Sequence, residues 1–279
     1  MITNDYDTLV LSGGSVKGLL LLGSLQYISE QNILKNITKF IGTSVGSLCS
    51  YLLALGYEPL EIITYICTNR ILERMKHFNI LAMVHGEGAT SFSYINEILE
   101  ILTIDKCGRL FTLKDMYDTL GKEFICITYN MTTDKQEVLS YKTHPDLPCL
   151  IALRMSCNLP FIFDNFKYNH NFYVDGGFSN NFPIEIGDEI GNKIIGITTS
   201  TTGKNFDVDT KLSTIEYIYK LVSIPVRQIM LNKMDNLSDN CHVISLDPGD
   251  TQIFDFNIST KRKMEMFSDG YRQMKEKLN

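Results

Sequence analysis

The run Phe40-Ile41-Gly42-Thr43-Ser44-Val45-Gly46-Ser47-Leu48 limits what this chain can fold into more than any other stretch of its sequence. A β-type segment, Lys39–Ile41, leads into it. A strongly apolar helical pattern over Val45–Leu55 leads out, with Val45, Leu48, Cys49, Leu52 and Leu53 on one face and Gly56 and Pro59 to stop it. A strand that turns into a helix across Gly-x-Ser-x-Gly needs a sharp, strained corner. Side chains at Gly42 and Gly46 would collide with neighbouring backbone there. Ser44 is pushed out at the helix N-terminus, where the dipole favours negative charge. It is a candidate nucleophile; a corner without chemistry would use the same serine only to cap the helix.

The N-terminal stretch Val10-Leu11-Ser12-Gly13-Gly14-Ser15-Val16-Lys17-Gly18-Leu19-Leu20 repeats the order of apolar run, glycines and helix. Free amides and a helix N-terminus make such a loop a general anion site. A dinucleotide fingerprint requires glycine where Ser15 stands, and a P-loop requires lysine where Leu19 stands. An oxyanion hole for an acyl-transfer intermediate fits the letters, as does a tight turn without a ligand.

A serine nucleophile needs a base. The histidines, His77, His85, His144, His170 and His242, are scattered. A sharper candidate is Asp175, which ends an apolar strand and is followed by Gly176 and Gly177. The glycines permit close approach of another backbone, and the turn aims the carboxylate out of the strand end, where α/β sheets build their sites. Partial burial beside apolar walls raises a carboxyl pKa and makes it a better base. Taken alone, Asp-Gly-Gly also reads as a simple turn.

Strand-like segments at Thr8–Leu11, Lys39–Ile41, Phe124–Tyr129, Glu137–Tyr141, Phe172–Val174, Lys193–Thr198 and His242–Leu246 alternate with helical patterns at Leu19–Glu30, Val45–Leu55, Tyr94–Leu102, Ile215–Val222 and Met264–Lys277. The alternation predicts an α/β fold with much parallel pairing. The 279 residues, 44% of them apolar, suffice for one large domain, and Ser200–Asp209 reads as a surface loop within it. A net charge of −6 argues against a nucleic-acid partner. Seven cysteines without a C-x-x-C pair point to reduced thiols rather than disulfides or a zinc site. The N-terminus lacks the pattern of a signal peptide, and no apolar run reaches the roughly 20 residues of a membrane span. The expectation is a cytoplasmic or intracellular protein, at most peripheral to membranes.

Taken together, the three glycine-containing stretches resemble the patatin-like phospholipase family: a glycine-rich loop near the N-terminus, then G-x-S-x-G, then a distant D-G-[GA]. Thr112–Ser140 is similar to the strand pair that the family places before its aspartate. Ala152–Phe163 followed by Tyr173–Ile184 resembles its closing segment, including Asn-Asn-x-Pro. The likeness covers about Asp7 to Gly187. It implies a three-layer α/β/α fold with a mostly parallel central sheet, as one domain over residues 1–279, with 188–279 continuing the motif-bearing core. It also implies a serine lipid acyl hydrolase of phospholipase A type. Such an enzyme cleaves fatty-acyl esters of phospholipids at a membrane or micelle surface, through a Ser–Asp dyad and an acyl-enzyme, without metal or cofactor. Ser44 would be the nucleophile and Asp175 its base. The amides of Gly13, Gly14 and Ser15, shaped by Lys17 and Gly18, would hold the oxyanion; Gly42 and Gly46 would form the elbow, and Gly176 and Gly177 the turn after the aspartate. Ser15 stands where many members carry a third glycine, a change that keeps the amide.

Three stretches could surround such a site. Ile224-Pro225-Val226 with Ile229, Met230 and Leu231 reads as an apolar rim or lid, or as a kinked core helix. Lys261–Phe267 reads as a contact for anionic headgroups or as a solvated helix face. Ile71–Gly86 is a candidate cap over an acyl chain. Two rival readings stand beside the dyad. One is an α/β-hydrolase esterase with the triad Ser44, Asp175 and His242, which the chain order allows. The other is a catalytically idle lipid-binding module, whose signature would be loss of Ser44, Asp175 or the glycines; none is lost.

Overall fold

The computed structural model describes residues 5–74, 88–199, 214–249, 251, 256 and 258–279. Its strands are β1 (Thr8–Leu11), β2 (Lys39–Thr43), β3 (Glu123–Asn130), β4 (Lys135–Leu139), β5 (Phe166–Tyr168), β6 (Asn171–Asp175), β7 (Ile194–Thr198) and β8 (Cys241–Ser245). Its helices are α1 (Gly18–Glu30), α2 (Val45–Ala54), α3 (Pro59–Thr68), α4 (Ile71–Arg74), α5 (Ser93–Cys107), α6 (Leu113–Leu120), α7 (Cys149–Ser156), α8 (Ile184–Ile190), α9 (Thr214–Met234) and α10 (Thr260–Leu278).

Five strands pair in parallel in the order β3-β2-β1-β7-β8. Parallel strands are covered on both faces and so read as nearly continuous apolar runs. Alternate residues serve opposite layers. Leu9, Leu11, Phe40, Cys126 and Ile195 pack with α1, α2, α5, α7 and α10, whereas Val10, Ile41, Ile125 and Ile194 pack with Ile184 of α8 and Met230 of α9. The result is the three-layer arrangement that the family resemblance implies.

Pairing along β3 positions everything that follows. β4 runs antiparallel along one of its edges, from Cys126↔Leu139 to Asn130↔Lys135. The opposite edge is shared by two strands. β2 runs parallel to β3 and stops with Thr43 opposite Ile127. β6 enters from the other end, antiparallel, and stops with Asp175 opposite Thr128. The two strands therefore meet end to end on consecutive residues of β3.

The helices differ from expectation in places with local causes. Pro59 does not merely stop α2; it opens α3 at the first helical position, where its missing N–H costs nothing, and Glu58 and Glu61 close a capping box around it. Pro225 does not end α9, which continues from Thr214 to Met234. In Lys261–Phe267, read as a headgroup contact or a solvated helix face, the apolar residues divide, with Met264 40% exposed. Met266 and Phe267 are buried where α10 lies on α1, while Lys261 and Arg262 pair with Glu265 at 3.9 and 3.3 Å. The proposed cap Ile71–Gly86 lies outside the described residues apart from α4, and the loop Ser200–Asp209 lies wholly outside them.

Candidate active site

Ser44 follows β2 directly and holds φ 54° and ψ −128°, a conformation that costs a side-chain-bearing residue of the order of 1–3 kcal/mol. The surroundings over-determine it. The Ser44 amide donates to Ser156 Oγ at 3.1 Å, and the Ser44 carbonyl accepts from the Ser47 hydroxyl at 2.6 Å and the Ser47 amide at 2.8 Å. Packing explains the two flanking glycines. A Cβ on Gly42 would lie 2.4 Å from the Gly46 carbonyl carbon, and one on Gly46 would lie 2.5 Å from the Leu11 carbonyl oxygen. The helix start is pressed against both β1 and β2, and only hydrogen fits in the gap.

Asp175 arrives from the opposite direction as the last residue of β6. Its amide donates to the Asn158 carbonyl at 2.9 Å, and its Oδ1 accepts from the Gly177 amide at 2.7 Å. Asp175 is 1% exposed and Ser44 6%. Oδ2 is buried with no well-directed hydrogen bond. Burial drives the Asp175 pKa up to about 7, opposed by the nearby Ser44 hydroxyl and the Gly177 amide, which both favour the carboxylate. The hydroxyl thus lies close enough to act on the carboxyl without completing a bond of good geometry, a looseness common before substrate binds.

The glycine loop closes the third side. The Gly13 amide donates to the Asn181 carbonyl at 2.9 Å, so it is already engaged, a narrowing of the expected donor set. The amides of Gly14 and Ser15 carry no hydrogen bond among the described residues. Ser15 sits at φ 52° and begins a single 3-10 turn, Ser15–Lys17, that runs into α1 at Gly18. An added Cβ on Gly13 would lie 3.3 Å from Ser44 Cβ, which places the loop against the serine. The Lys17 pKa is lowered by burial and by the nearby Lys220 and Arg227 of α9.

Residues that carried no role in the sequence hold these parts together. Asn180 accepts from Thr43 Oγ1 through its carbonyl at 2.8 Å, and Asn181 grips Gly13, so the Asn-Asn pair ties the aspartate turn to both β2 and the glycine loop. Arg154 is buried among the rings of Phe92, Phe163 and Phe166; it donates to Asn158 Oδ1 at 2.5 Å, and Asn158 Nδ2 donates to the Tyr173 carbonyl at 2.5 Å. The Asn-Asn-x-Pro pattern was visible as a motif; the Arg154 scaffold had no local signal.

A cavity of about 500 Å³ opens at Ser15 and Ser44. Its walls include Leu19 and Leu22 of α1, Leu48 and Leu52 of α2, and Ile98 and Leu102 of α5. It follows α2 over roughly 15 Å, the length of a ten-residue helix, to Tyr57, whose hydroxyl donates to the Leu102 carbonyl and to Asp105.

His242 is not part of this assembly. It pairs with Ile195, which pairs with Leu9, which pairs with Phe40, four residues before Ser44. That places it about 13 Å back along the strands and about 14 Å across them from Ser44. Its Nδ1 instead bonds to the Tyr6 hydroxyl at 2.8 Å. The triad reading is corrected accordingly: sequence order permitted it, but β8 lies three strands away.

Comparison with known proteins gives the same assignment for the core. The family model described as Patatin-like phospholipase matches residues 9–188. The probable lipid hydrolase 463L of Invertebrate iridescent virus 6 is 35% identical over 76% of this chain and 77% of its own length. Among solved structures, VipD from Legionella pneumophila superposes with a TM-score of 0.55 at 16% identity, over 98% of this chain and 66% of that one. ExoU from Pseudomonas aeruginosa, solved with SpcU, gives 0.53 at 15% identity, over 98% of this chain and 52% of that one. The chain spans about half to two thirds of those solved structures, and at such identities the likeness is one of fold.

Proposed function

The chain belongs to the patatin-like phospholipase family of lipid ester hydrolases, and on that premise we propose that it cleaves fatty-acyl esters of phospholipids with Ser44 as nucleophile and Asp175 as its base. The observation that carries the proposal is the end-to-end meeting of β2 and β6 on β3, which delivers a strained serine and a buried carboxyl to one point. A Ser–Asp dyad needs a carboxylate of unusual basicity, and burial supplies it: a pKa near 7 suits proton transfer at neutral pH.

In the proposed reaction Asp175 takes the proton of Ser44 Oγ as the oxygen attacks the ester carbonyl. The tetrahedral oxyanion is held by the amides of Gly14 and Ser15, each worth roughly 3 kcal/mol, and by the N-terminus of α2. Asp175 returns its proton to the leaving alcohol, and an acyl-enzyme remains. Asp175 then deprotonates a water that attacks the acyl carbonyl, and it passes that proton to Ser44 Oγ as the acyl–oxygen bond breaks and the fatty acid departs. The apolar cavity along α2 takes the acyl chain, which excludes water from all but the reacting end.

A fluorophosphonate probe tests the assignment. The wild type labels covalently and releases fatty acid from phospholipid; Ser44→Ala does neither; His242→Ala does both. Equal labelling or equal release by wild type and Ser44→Ala would remove the proposal.

A further inference from the structure

Helix α9 presents to solvent what most helices hide. Tyr217, Leu221 and Ile224 are 56, 47 and 57% exposed, and Ile218, Val222 and Ile229 between 41 and 48%. At 100° per residue these six positions fall within a sector of about 160°, over a length of about 18 Å. The other positions in that sector are Pro225, Gln228 and Asn232, and no acidic residue occurs between 217 and 234. Folding does not demand this face. The helix is anchored by its other side, where Val226 and Met230 are 8 and 5% exposed and Met230 packs against the sheet. A contiguous exposed apolar face of this kind marks an interaction surface.

Two further observations say what covers it. Lys220 and Arg227, seven residues apart, share one flank of α9, and both act electrostatically on Lys17 at the end of the glycine loop. Three cations thus converge beside an apolar face, in a chain whose net charge is −6. The same stretch of α9 adjoins the reaction centre: the Tyr219 ring meets Phe178, three residues beyond Asp175, edge to face at 5.9 Å. An amphipathic helix with an apolar face and a basic flank suits the boundary of an anionic bilayer, its apolar side chains among the acyl chains and its cations at the lipid phosphates.

We propose that α9 docks this protein on anionic lipid bilayers, with the apolar face of Tyr217, Leu221 and Ile224 inserted and Lys220 and Arg227 set against the headgroups, so that the site at Ser44 opens onto the membrane. Its purpose rests on the lipid-hydrolase reading of that site; its binding test does not.

Vesicle co-sedimentation uses Ser44→Ala protein, so that the lipid stays intact, with vesicles of phosphatidylcholine alone or of equal parts phosphatidylcholine and phosphatidylglycerol. Binding to the mixed vesicles is expected to be at least about tenfold tighter than to phosphatidylcholine alone. The pair Leu221→Asp and Ile224→Asp weakens binding to the mixed vesicles by about tenfold or more. Lys220→Glu with Arg227→Glu removes the preference for phosphatidylglycerol. On the otherwise wild-type enzyme, Leu221→Asp with Ile224→Asp lowers fatty-acid release from vesicles while hydrolysis of a soluble short-chain nitrophenyl ester is unchanged. Vesicle binding that survives both pairs of substitutions overturns the proposal. So does a wild-type dimer that the aspartates convert to monomer without altering vesicle binding, which would make the face an interface between copies. Wild type that docks as described but hydrolyses no ester would leave the docking intact and refute the reading of the site instead.

Discussion

The junction of β2 and β6 and the outer face of α9 lie side by side and are built on opposite principles. At the junction the main-chain amides of Ser44 and Asp175 have named partners, and Gly42, Gly46 and Gly176 face backbone at distances that exclude a methyl group. On α9 the outer side chains are apolar but touch little, and any residue of similar size would serve as well. The first surface is specified by position and the second by area. A point substitution should therefore be severe and discontinuous at the junction, but graded on the helix.

The largest effect belongs to Asp175→Asn. Loss of the base should lower kcat/KM by about 10²- to 10⁴-fold, whereas the change is nearly isosteric. In the wild type, kcat/KM should rise with pH through about 7, as Asp175 ionises, and level off above. Stability runs the other way. The folded pKa lies above the ordinary carboxyl value of 3.8, so the contribution of neutral Asp175 is complete below about pH 4 and is lost as pH rises through about 7. Asp175→Asn should match the wild type in melting temperature at pH 4 and exceed it at pH 8, with a limiting difference on the order of 4 kcal/mol. A melting curve with no pH-dependent gap would mean that the carboxyl is not held neutral by burial, and the junction would lose its claim to be electrostatically strained.

Next comes Gly46→Ala. The added methyl would meet the Leu11 and Ser12 carbonyl oxygens at 2.5 and 2.6 Å, so β1 and α2 must separate. The expected cost is about 3 kcal/mol or more, measured by denaturant unfolding, with activity lost alongside. A single methyl exchanged on α9, as in Ile224→Val, should leave both stability and vesicle binding close to wild type. Comparable losses from the two substitutions would erase the distinction between point and area.

The same distinction decides what the sequence discloses. Gly42, Ser44 and Gly46 were legible because the corner that requires them is local: strand, turn and helix are adjacent in the chain. Asp175 was legible as a strand end followed by two glycines. Their meeting was not, because it depends on β2 and β6 sharing one edge of β3, through the distant pairings Thr43↔Ile127 and Thr128↔Asp175. Likeness to a known family supplied that step; no local pattern did. The engagement of the Gly13 amide by Asn181 is hidden for the same reason. β5 is only Phe166–Tyr168, too short for alternation to register, and the start of α3 was masked by reading Pro59 as a stop. On α9 the apolar residues were plain in the sequence, but periodicity does not tell a buried face from an exposed one: Val226 and Ile224 differ by one helical side, not by chemistry.

The smallest effect is expected at Ser15, and it tests the junction where it looks most tolerant. Ser15 holds φ 52°, a conformation that costs a residue with a side chain about 1–2 kcal/mol relative to glycine. Ser15→Gly removes that strain but enlarges the conformational freedom of the unfolded chain, which offsets about 0.4–1 kcal/mol of the gain. The net change should be a stabilisation of less than about 1.5 kcal/mol, near the limit of a careful unfolding measurement. The amide stays in place, so ester hydrolysis should change by no more than about twofold. Ser15 also lines the cavity beside Ser44, and this gives the experiment its sharper edge. If Ser15→Gly stabilises the fold yet lowers kcat tenfold, the serine hydroxyl itself must contact the reacting group, and the strain at φ 52° is retained for that contact. If it changes neither quantity, the loop works through its amides alone, and Ser15 obeys the rule of α9 rather than that of Ser44: a residue whose identity can vary so long as the backbone beneath it does not.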